Sequence, residues 1–237
     1  MHDKIFYEAK LFSSRNYKSE AEALDNIFRS LHISRNSSIL DIGSNRGIHA
    51  ALLSKMGYKV TGIDLNPKFI NYSKKSVKAA KFLLADMRIF HSEQPFNAAI
   101  AILNGIYFNK TKKELSKAFK SIFNNLKPGG VLIFDINTNL LKDHFVNNRK
   151  GVIGYSEKKI QVARFESIRK VKDKVLLKLT YLVRDHSQFY SYSNLIRFGF
   201  FSIAELKGIA KKSGFKSFKI LKFKNFRPKA TCFICIK

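Results

Sequence analysis

Three aspartates and one glycine loop are the residues of this chain whose types and spacing could do chemistry. Asp41 ends the apolar stretch SSILD and is followed by Gly43, Ser44, Asn45 and Gly47 in LDIGSNRGIHA. Asp64 closes VTGID, and Asp86 follows FLLA. Glycine lets a backbone approach a ligand closely, and the free N–H groups at a helix start can meet a carboxylate or phosphate. The spacing is DxGxxxG, whereas a dinucleotide pyrophosphate asks for GxGxxG. An acid ahead of the glycines also repels a pyrophosphate. Asp64 is placed to accept both hydroxyls of a ribose, and Asp86 to bind the exocyclic amine of an adenine. Any one of these acids alone could be a helix cap or a solvated loop residue. Three at successive strand ends suit an adenosine-bearing ligand that has no pyrophosphate.

The elements that must position these acids alternate along the chain. Residues 18–31 show helical periodicity, with Ala21, Leu24, Ile27, Phe28 and Leu31 on one face. A strand is expected at Ser38–Ile42, a helix at Gly47–Met56 and a strand at Tyr58–Ile63. Asn66 caps a helix that begins with Pro67, the position where that ring is favoured. Further strands are expected at Phe82–Leu84 and Ala98–Leu103, and a Thr111–Glu114 capping box opens a helix that runs to Leu126. LKPGG reads as a stop, and VLIFDI as a strand buried on both faces. Such alternation over residues 38–136 predicts a doubly wound, mostly parallel α/β sheet, with ligands beyond the carboxyl ends of the strands. Residues 150–200 alternate in a strand-like way around an Asp185-His186-Ser187 turn and read as an antiparallel insertion after the fifth strand. A Ser202–Glu205 capping box opens a last helix, and two strands lie within 217–236.

The chain of 237 residues is read as one domain. Its expected parts are an N-terminal cap over 1–36, a cofactor-binding core over 37–137, an acceptor-side insertion over 150–200 and a closing segment over 201–237. No run approaches the roughly 18 apolar residues of a membrane span, and the N-terminus lacks a signal-peptide layout. The reading is a soluble, cytoplasmic protein. The formal charge of +27 comes from 44 Lys and Arg against 17 Asp and Glu. Such an excess is drawn to nucleic acid, anionic membrane surfaces or phosphorylated substrates, or is a lysine-rich bias spread over a solvated surface. Cys232 and Cys235 form a CxxC inside an alternating apolar strand, where positions three apart face opposite ways. No metal site is expected from them.

Residues 38–136 resemble the class I S-adenosylmethionine-dependent methyltransferases, on LDIGSNRG, VTGIDLNP, LLADMRIF and LKPGGVLIFDIN. The family's first motif is usually DxGxGxG, so Asn45 stands where the middle glycine would be. Asn is the residue other than glycine that best tolerates a left-handed backbone. The resemblance implies a Rossmann-like seven-stranded sheet and S-adenosyl-L-methionine as cofactor. Asp41 and the Gly43–Gly47 loop, including Ser44, would hold the methionine portion. Asp64 would take the ribose, and Asp86 with the Met87 backbone the adenine. Tyr17, Leu65 and Leu103 are the other cofactor-side residues. YEAKLFSSRNYKSEAEAL, the GIHA helix start and the strands after LKPGG are similar to small-molecule methyltransferases acting on nucleotide-linked amino sugars. In that group the N-terminal segment closes over the cofactor and the late strands help form the acceptor pocket. Tyr7 and Tyr17 match its N-terminal tyrosines. Its acceptor-side histidine has no counterpart in Asn104-Gly105-Ile106-Tyr107-Phe108.

Methyl transfer from a sulfonium is an in-line displacement that mainly needs alignment and exclusion of water. A base matters only where the acceptor is an alcohol or a protonated amine. The candidates are Tyr7, Tyr107 and His144. His49 reads as a packed structural histidine and His186 as a solvated turn residue. The expected acceptor is a nitrogen or oxygen of a small molecule, such as a nucleotide-linked or surface-polysaccharide sugar. The alternative is an RNA methyltransferase using the basic surface, or a cofactor-binding protein without catalysis. ILNGIYF lacks the (D/N/S)PP(Y/F) motif of amino-directed base methylation, and both cysteines sit in the last strand, away from any base C5 chemistry.

Overall fold

Apolar alternation in the sequence becomes two sheets in the computed structural model. It describes Tyr7, Leu11 and residues 15–137, 149–157, 159–172, 174–221 and 230–237. The chain divides into two compact units, Tyr17–Lys142 with Phe201–Lys237, and Met1–Asn16 with Asp143–Phe200.

In the larger unit the described strands order as β10-β11-β5-β4-β1-β2-β3. These are β1 (Ser38–Ile42), β2 (Lys59–Asp64), β3 (Lys81–Leu84), β4 (Phe96–Ala101), β5 (Leu126–Asn137), β10 (Ser217–Leu221) and β11 (Ala230–Ile236). β3, β2, β1, β4 and β5 are parallel. β11 runs antiparallel to β5 and β10 antiparallel to β11. This is the expected mostly parallel seven-stranded sheet. The strand order reverses at β1, which lies between β2 and β4, and that is where open α/β sheets bind ligands.

Helix α1 (Tyr17–Ser30) buries Ala23, Leu24, Ile27 and Phe28 in one core with Ile39 of β1, Leu53, Tyr58 and Val60. Helices α2 (Ile48–Lys55), α3 (Pro67–Ser76), α4 (Lys112–Asn124) and α5 (Ile203–Ser213) follow. Their starts obey the expected chemistry. The Asn66 side chain accepts from the Lys68 N–H at 3.0 Å, and Ser202 and Glu205 form the full capping box. At Thr111 the box is half made, because the Glu114 carboxylate takes the N–H of Lys110 instead of that of the cap. The LKPGG stop is absorbed into β5. Phe96 pairs with Leu126 and Ala98 with Val131, so the register shifts while the KPGG segment loops out with Gly129 left-handed at φ 74°. Cys232 and Cys235 are both buried in β11, with Cys232 facing the α1 core, and burial pushes its thiol up to about 12.

The smaller unit is a meander of β6 (Arg149–Glu157), β7 (Ile160–Val171), β8 (Lys174–Asp185) and β9 (Gln188–Gly199), the antiparallel insertion after β5. Its buried face gathers Val162, Leu179, Tyr181 and Val183 with Tyr7 and Leu11. Tyr181 stacks on Tyr192 across β8 and β9 at 4.5 Å. His186 takes a left-handed turn at φ 58° between them.

One buried carboxylate ties α1 to the sheet. Asp25 accepts from the Tyr58 hydroxyl at 2.8 Å and lies 3.2 Å from Arg29 Nε and 3.6 Å from Arg35 Nη2. Tyr58→Phe removes one buried hydrogen bond and should lower stability by about 1 kcal/mol. Urea unfolding checks this: the midpoint should fall with an unchanged slope, and an unmoved midpoint would refute it.

Candidate functional site

The loop after β1 is a chain of left-handed turns. Gly43, Asn45 and Gly47 have φ 70°, 50° and 72°. The N–H groups of Gly43 and Ser44 both donate to the Ile63 carbonyl, at 2.8 and 3.0 Å, and Gly47 N–H donates to Ser44 O at 2.8 Å. Asn45 adopts the backbone that only glycine or a short polar residue takes readily. Its N–H donates to Asp64 Oδ2 at 2.9 Å, and its carbonyl lies 2.9 Å from the buried Ser73 hydroxyl. The two glycines are needed for different reasons. A β-carbon at Gly47 would sit 2.6 Å from the Phe82 ring, whereas one at Gly43 would meet nothing within 4 Å. The backbone at Gly43 faces open space.

The three acids differ sharply in environment. Asp41 is 3% exposed, and its Oδ2 has no hydrogen-bond partner among the described residues. The Ser44 hydroxyl is in the same state. Burial pushes the Asp41 carboxyl up to about 6; the charge of His49 opposes this and that of Asp64 adds to it. A buried, unpartnered carboxylate oxygen at a strand end is a position where a ligand donor is wanted. Asp64 accepts from Asn45 N–H and, at 2.8 Å, from Asn66 N–H. Asp86 is held by Arg88, whose Nε lies 2.9 Å and Nη2 2.6 Å from Asp86 Oδ2. This guanidinium keeps the Asp86 carboxyl below the usual range, and its Nη1 lies 3.6 Å from Glu114 Oε1.

At the end of β4, Leu103 and Asn104 are both left-handed, at φ 66° and 61°. Such backbone is held only where the surroundings over-determine it. Asn104 Oδ1 accepts from Asn137 N–H at 2.6 Å, and Asn104 N–H donates to Asp135 Oδ1 at 3.3 Å. Leu65 is 60% exposed beyond β2, and Met87 is half-buried beyond β3. Tyr17 of α1 meets the His49 ring edge-on at 5.5 Å. The expected cofactor-side residues thus gather at the carboxyl ends of β1, β2, β3 and β4.

The three expected bases fare differently. Tyr107 is fully buried and donates its hydroxyl to the Phe201 carbonyl at 2.6 Å, with the two rings edge-on at 5.6 Å. Burial raises its pKa. That geometry makes it a core residue in place of the base expected from its strand-end position. His144 lies outside the described residues. Tyr7, in the smaller unit, donates to Asp185 Oδ2 at 2.5 Å and packs edge-on against Tyr190 at 5.5 Å. Burial first, and then the bond to Asp185, raise its pKa. A groove of about 750 Å³ in this unit is lined by residues including Tyr155, Arg184, Phe189 and Tyr190.

Sequence reasoning missed Glu20, Ser73, Arg88 and Asp185 as partners of these groups. Arg88 follows Asp86 by two residues and was open to notice. Glu20 meets His49, and Ser73 meets the loop, only through the tertiary fold.

Comparison with known proteins shows what this fold is similar to. Residues 39–130 match the family model described as a methyltransferase domain. The chain is 34% identical over 104 residues to YqeM of Bacillus subtilis (strain 168), named as a methyltransferase, with 42% of each chain covered. It is 28% identical over 131 residues to a dTDP-3-amino-3,4,6-trideoxy-alpha-D-glucopyranose N,N-dimethyltransferase of Streptomyces venezuelae, covering 55% of this chain and 54% of that protein. The chain thus spans about half the length of the curated relatives it matches. Over its whole length the fold superposes on SAM-bound CalS10, an amino pentose methyltransferase from Micromonospora echinaspora. The TM-score is 0.84 and the identity 18%, with 98% of that chain covered. The fold is therefore that of the class I S-adenosylmethionine-dependent methyltransferases, and residues 39–130 are similar to a methyltransferase domain. Among the described residues no group of His, Cys, Asp and Glu could hold a metal, and no helix is long and apolar enough to cross a membrane.

Asp41 makes stability depend on pH. Its folded pKa of about 6 exceeds the unfolded value of 3.8, so folding favours the neutral acid. Stability from this group is full below 3.8 and is lost as pH rises through 6, by about 3 kcal/mol for a shift of this size. Asp41→Asn should therefore match the wild type at pH 4 and exceed it at pH 8, as read by urea unfolding at both. A stability gap independent of pH would contradict the assignment.

Proposed function

We propose that the protein transfers a methyl group from S-adenosyl-L-methionine to a nitrogen or oxygen of a small molecule, of the nucleotide-linked or surface-polysaccharide sugar class. The observation that carries the reading is the left-handed Gly43–Gly47 loop, open at Gly43 and flanked by an unpartnered Asp41 oxygen and by Asp64. These residues fit the donor. Asp41 Oδ2 and the Ser44 hydroxyl offer partners to the amino acid portion, which carries an ammonium group. Asp64 retains lone pairs for ribose hydroxyls, and Asp86 with the Met87 backbone is assigned to adenine. Leu65 and Leu103 supply apolar contacts, and Tyr17 packs behind the loop through His49. When bound, S-adenosyl-L-methionine would supply an electrophilic sulfonium methyl to an aligned nucleophile, its sulfur leaving as the thioether of S-adenosylhomocysteine. What the chain contributes is alignment, charge and exclusion of water.

The smaller unit offers hydroxyls, carboxylates and aromatic faces. Tyr7 is assigned to acceptor handling, with Asp185 as the group that takes its hydrogen bond. The names of the related proteins support an amino-sugar acceptor. A second reading, an RNA acceptor, is favoured by the charge of +27 and by the exposed Lys68, Lys74, Lys75, Lys78 and Lys81 on and beside α3. Binding of RNA would then fall steeply with added salt, as phosphate contacts release counterions.

Two measurements test the reading. Asp64→Ala should weaken binding of S-adenosylhomocysteine by about 1–3 kcal/mol, roughly 5- to 150-fold. Unchanged calorimetric affinity would overturn the donor assignment. Turnover with a panel of nucleotide-linked amino sugars, insensitive to salt, is expected. Turnover confined to RNA would replace the acceptor.

A further inference from the structure

Alternation gives the four-stranded sheet of the smaller unit two faces of opposite character. Successive side chains of a strand point to opposite sides, and the cross-strand register keeps each set together. Val162, Tyr181 and Val183 mark the buried face. The carboxylates that these strands carry, Glu157, Glu166 and Asp185, fall on that side as well. The opposite face carries the cations Arg169, Lys174, Lys178, Arg184 and Arg197 and, among the described strand residues, no acid. Among these cations stand Val152, Phe165, Leu182, Phe189 and Leu195, all exposed, Val152 by 65% and Phe189 by 76%. Phe165 lies opposite Val152 and has Leu182 as its diagonal neighbour, so these three form one patch. Large apolar side chains gathered in water mark a contact surface.

A groove of about 750 Å³ crosses the same face. One cross-strand row along it is Gly154, Ala163, Leu182 and Ser191, whose small side chains make the depression. The next row holds Arg184 between Gln161 and Phe189. Arg184 Nε is buried there with no hydrogen-bond partner among the described residues. A buried guanidinium donor left unpartnered is a position that wants an anion, phosphate above all.

We propose that this face docks the protein on an anionic lipid bilayer. The apolar side chains enter the headgroup boundary, and the cations, Arg184 in the groove among them, meet lipid phosphates. Charge complementarity selects this occupant. A second copy of the chain would bring the same cations against themselves. An RNA would satisfy the cations, but the aliphatic Val152, Leu182 and Leu195 offer its bases no ring to stack on. A bilayer interface takes both kinds of side chain at once. The inference does not depend on the methyl-donor reading.

The test is co-sedimentation with vesicles of phosphatidylcholine alone and of equal parts phosphatidylcholine and phosphatidylglycerol. The protein should bind the mixed vesicles and stay in solution with the neutral ones. Leu182→Ser combined with Phe189→Ser should lower the partition coefficient about tenfold. Arg184→Gln and Arg197→Gln should each lower it about fivefold. Lys74→Gln and Lys75→Gln remove charge from α3 of the larger unit and should leave it unchanged. The chain has no tryptophan, so Phe189→Trp is a single reporter. Its emission should move to shorter wavelength on the mixed vesicles and not with inorganic phosphate or RNA. If a thermal melt shows the double serine variant unfolded, this emission carries the test. Equal losses from the α3 and sheet-face charge variants, with the double serine variant unaffected, would mean adsorption by net charge and overturn the proposal. A dimer in sedimentation velocity that the double serine variant dissociates would give the face to a second copy instead. RNA binding abolished by that variant would overturn it in favour of RNA.

Discussion

The Asp64 carboxylate holds the site together. One of its oxygens accepts the N–H of Asn45 from the loop after β1, and the other the N–H of Asn66, which caps α3. Two loops at the carboxyl ends of neighbouring parallel strands are thereby bound to one charge. The rest of the arrangement follows from this. Asn45 can be left-handed because its N–H is taken by Asp64 and its carbonyl by Ser73. With Asn45 fixed, the loop returns to Gly47 and starts α2 over Phe82. A charged group with two backbone donors keeps its geometry while leaving lone pairs for a ligand.

Much of this was legible because parallel strands announce themselves. Near-continuous apolar runs such as SSILD and VLIFDI, separated by capped helices, leave few alternatives to a doubly wound sheet. The acids were legible because strand ends are where that sheet binds ligands. The left-handed backbone at Asn45 is legible through the family resemblance, because Asn45 stands where that motif has a glycine and Asn tolerates such backbone. Other features depended on contacts distant in sequence. Glu20 and His49 are 29 residues apart, and nothing in either local stretch marks them as partners. Tyr107 sits where a base could, but its hydroxyl meets the carbonyl of Phe201, 94 residues away.

The smaller sheet was legible as an alternating region but not as four strands. β8 and β9 show clean alternation, with Val175, Leu179, Tyr181 and Val183 buried on one face. β7 does not, because Arg164 occupies one of the buried positions, where it pairs with Glu166. A buried arginine paired with a carboxylate on the same strand breaks the apolar period without breaking the strand. The LKPGG segment misled in the opposite sense. Proline and two glycines read as a stop, yet the strand begins before them and resumes after the looped-out residues.

The Phe82 ring has a consequence beyond packing. It fills the space that a side chain at Gly47 would need, and equally that of one at Gly62, where a β-carbon would approach the same ring to 2.7 Å. Positions 47, 62 and 82 therefore form one steric unit drawn from three separate elements. A change of size at any one of them is felt at the other two. A smaller residue at 82 would leave a void beneath the loop, while a larger one at 47 or 62 would need the ring to leave first. The loop that faces the ligand is thus tied, through one aromatic ring, to the edge strand of the sheet.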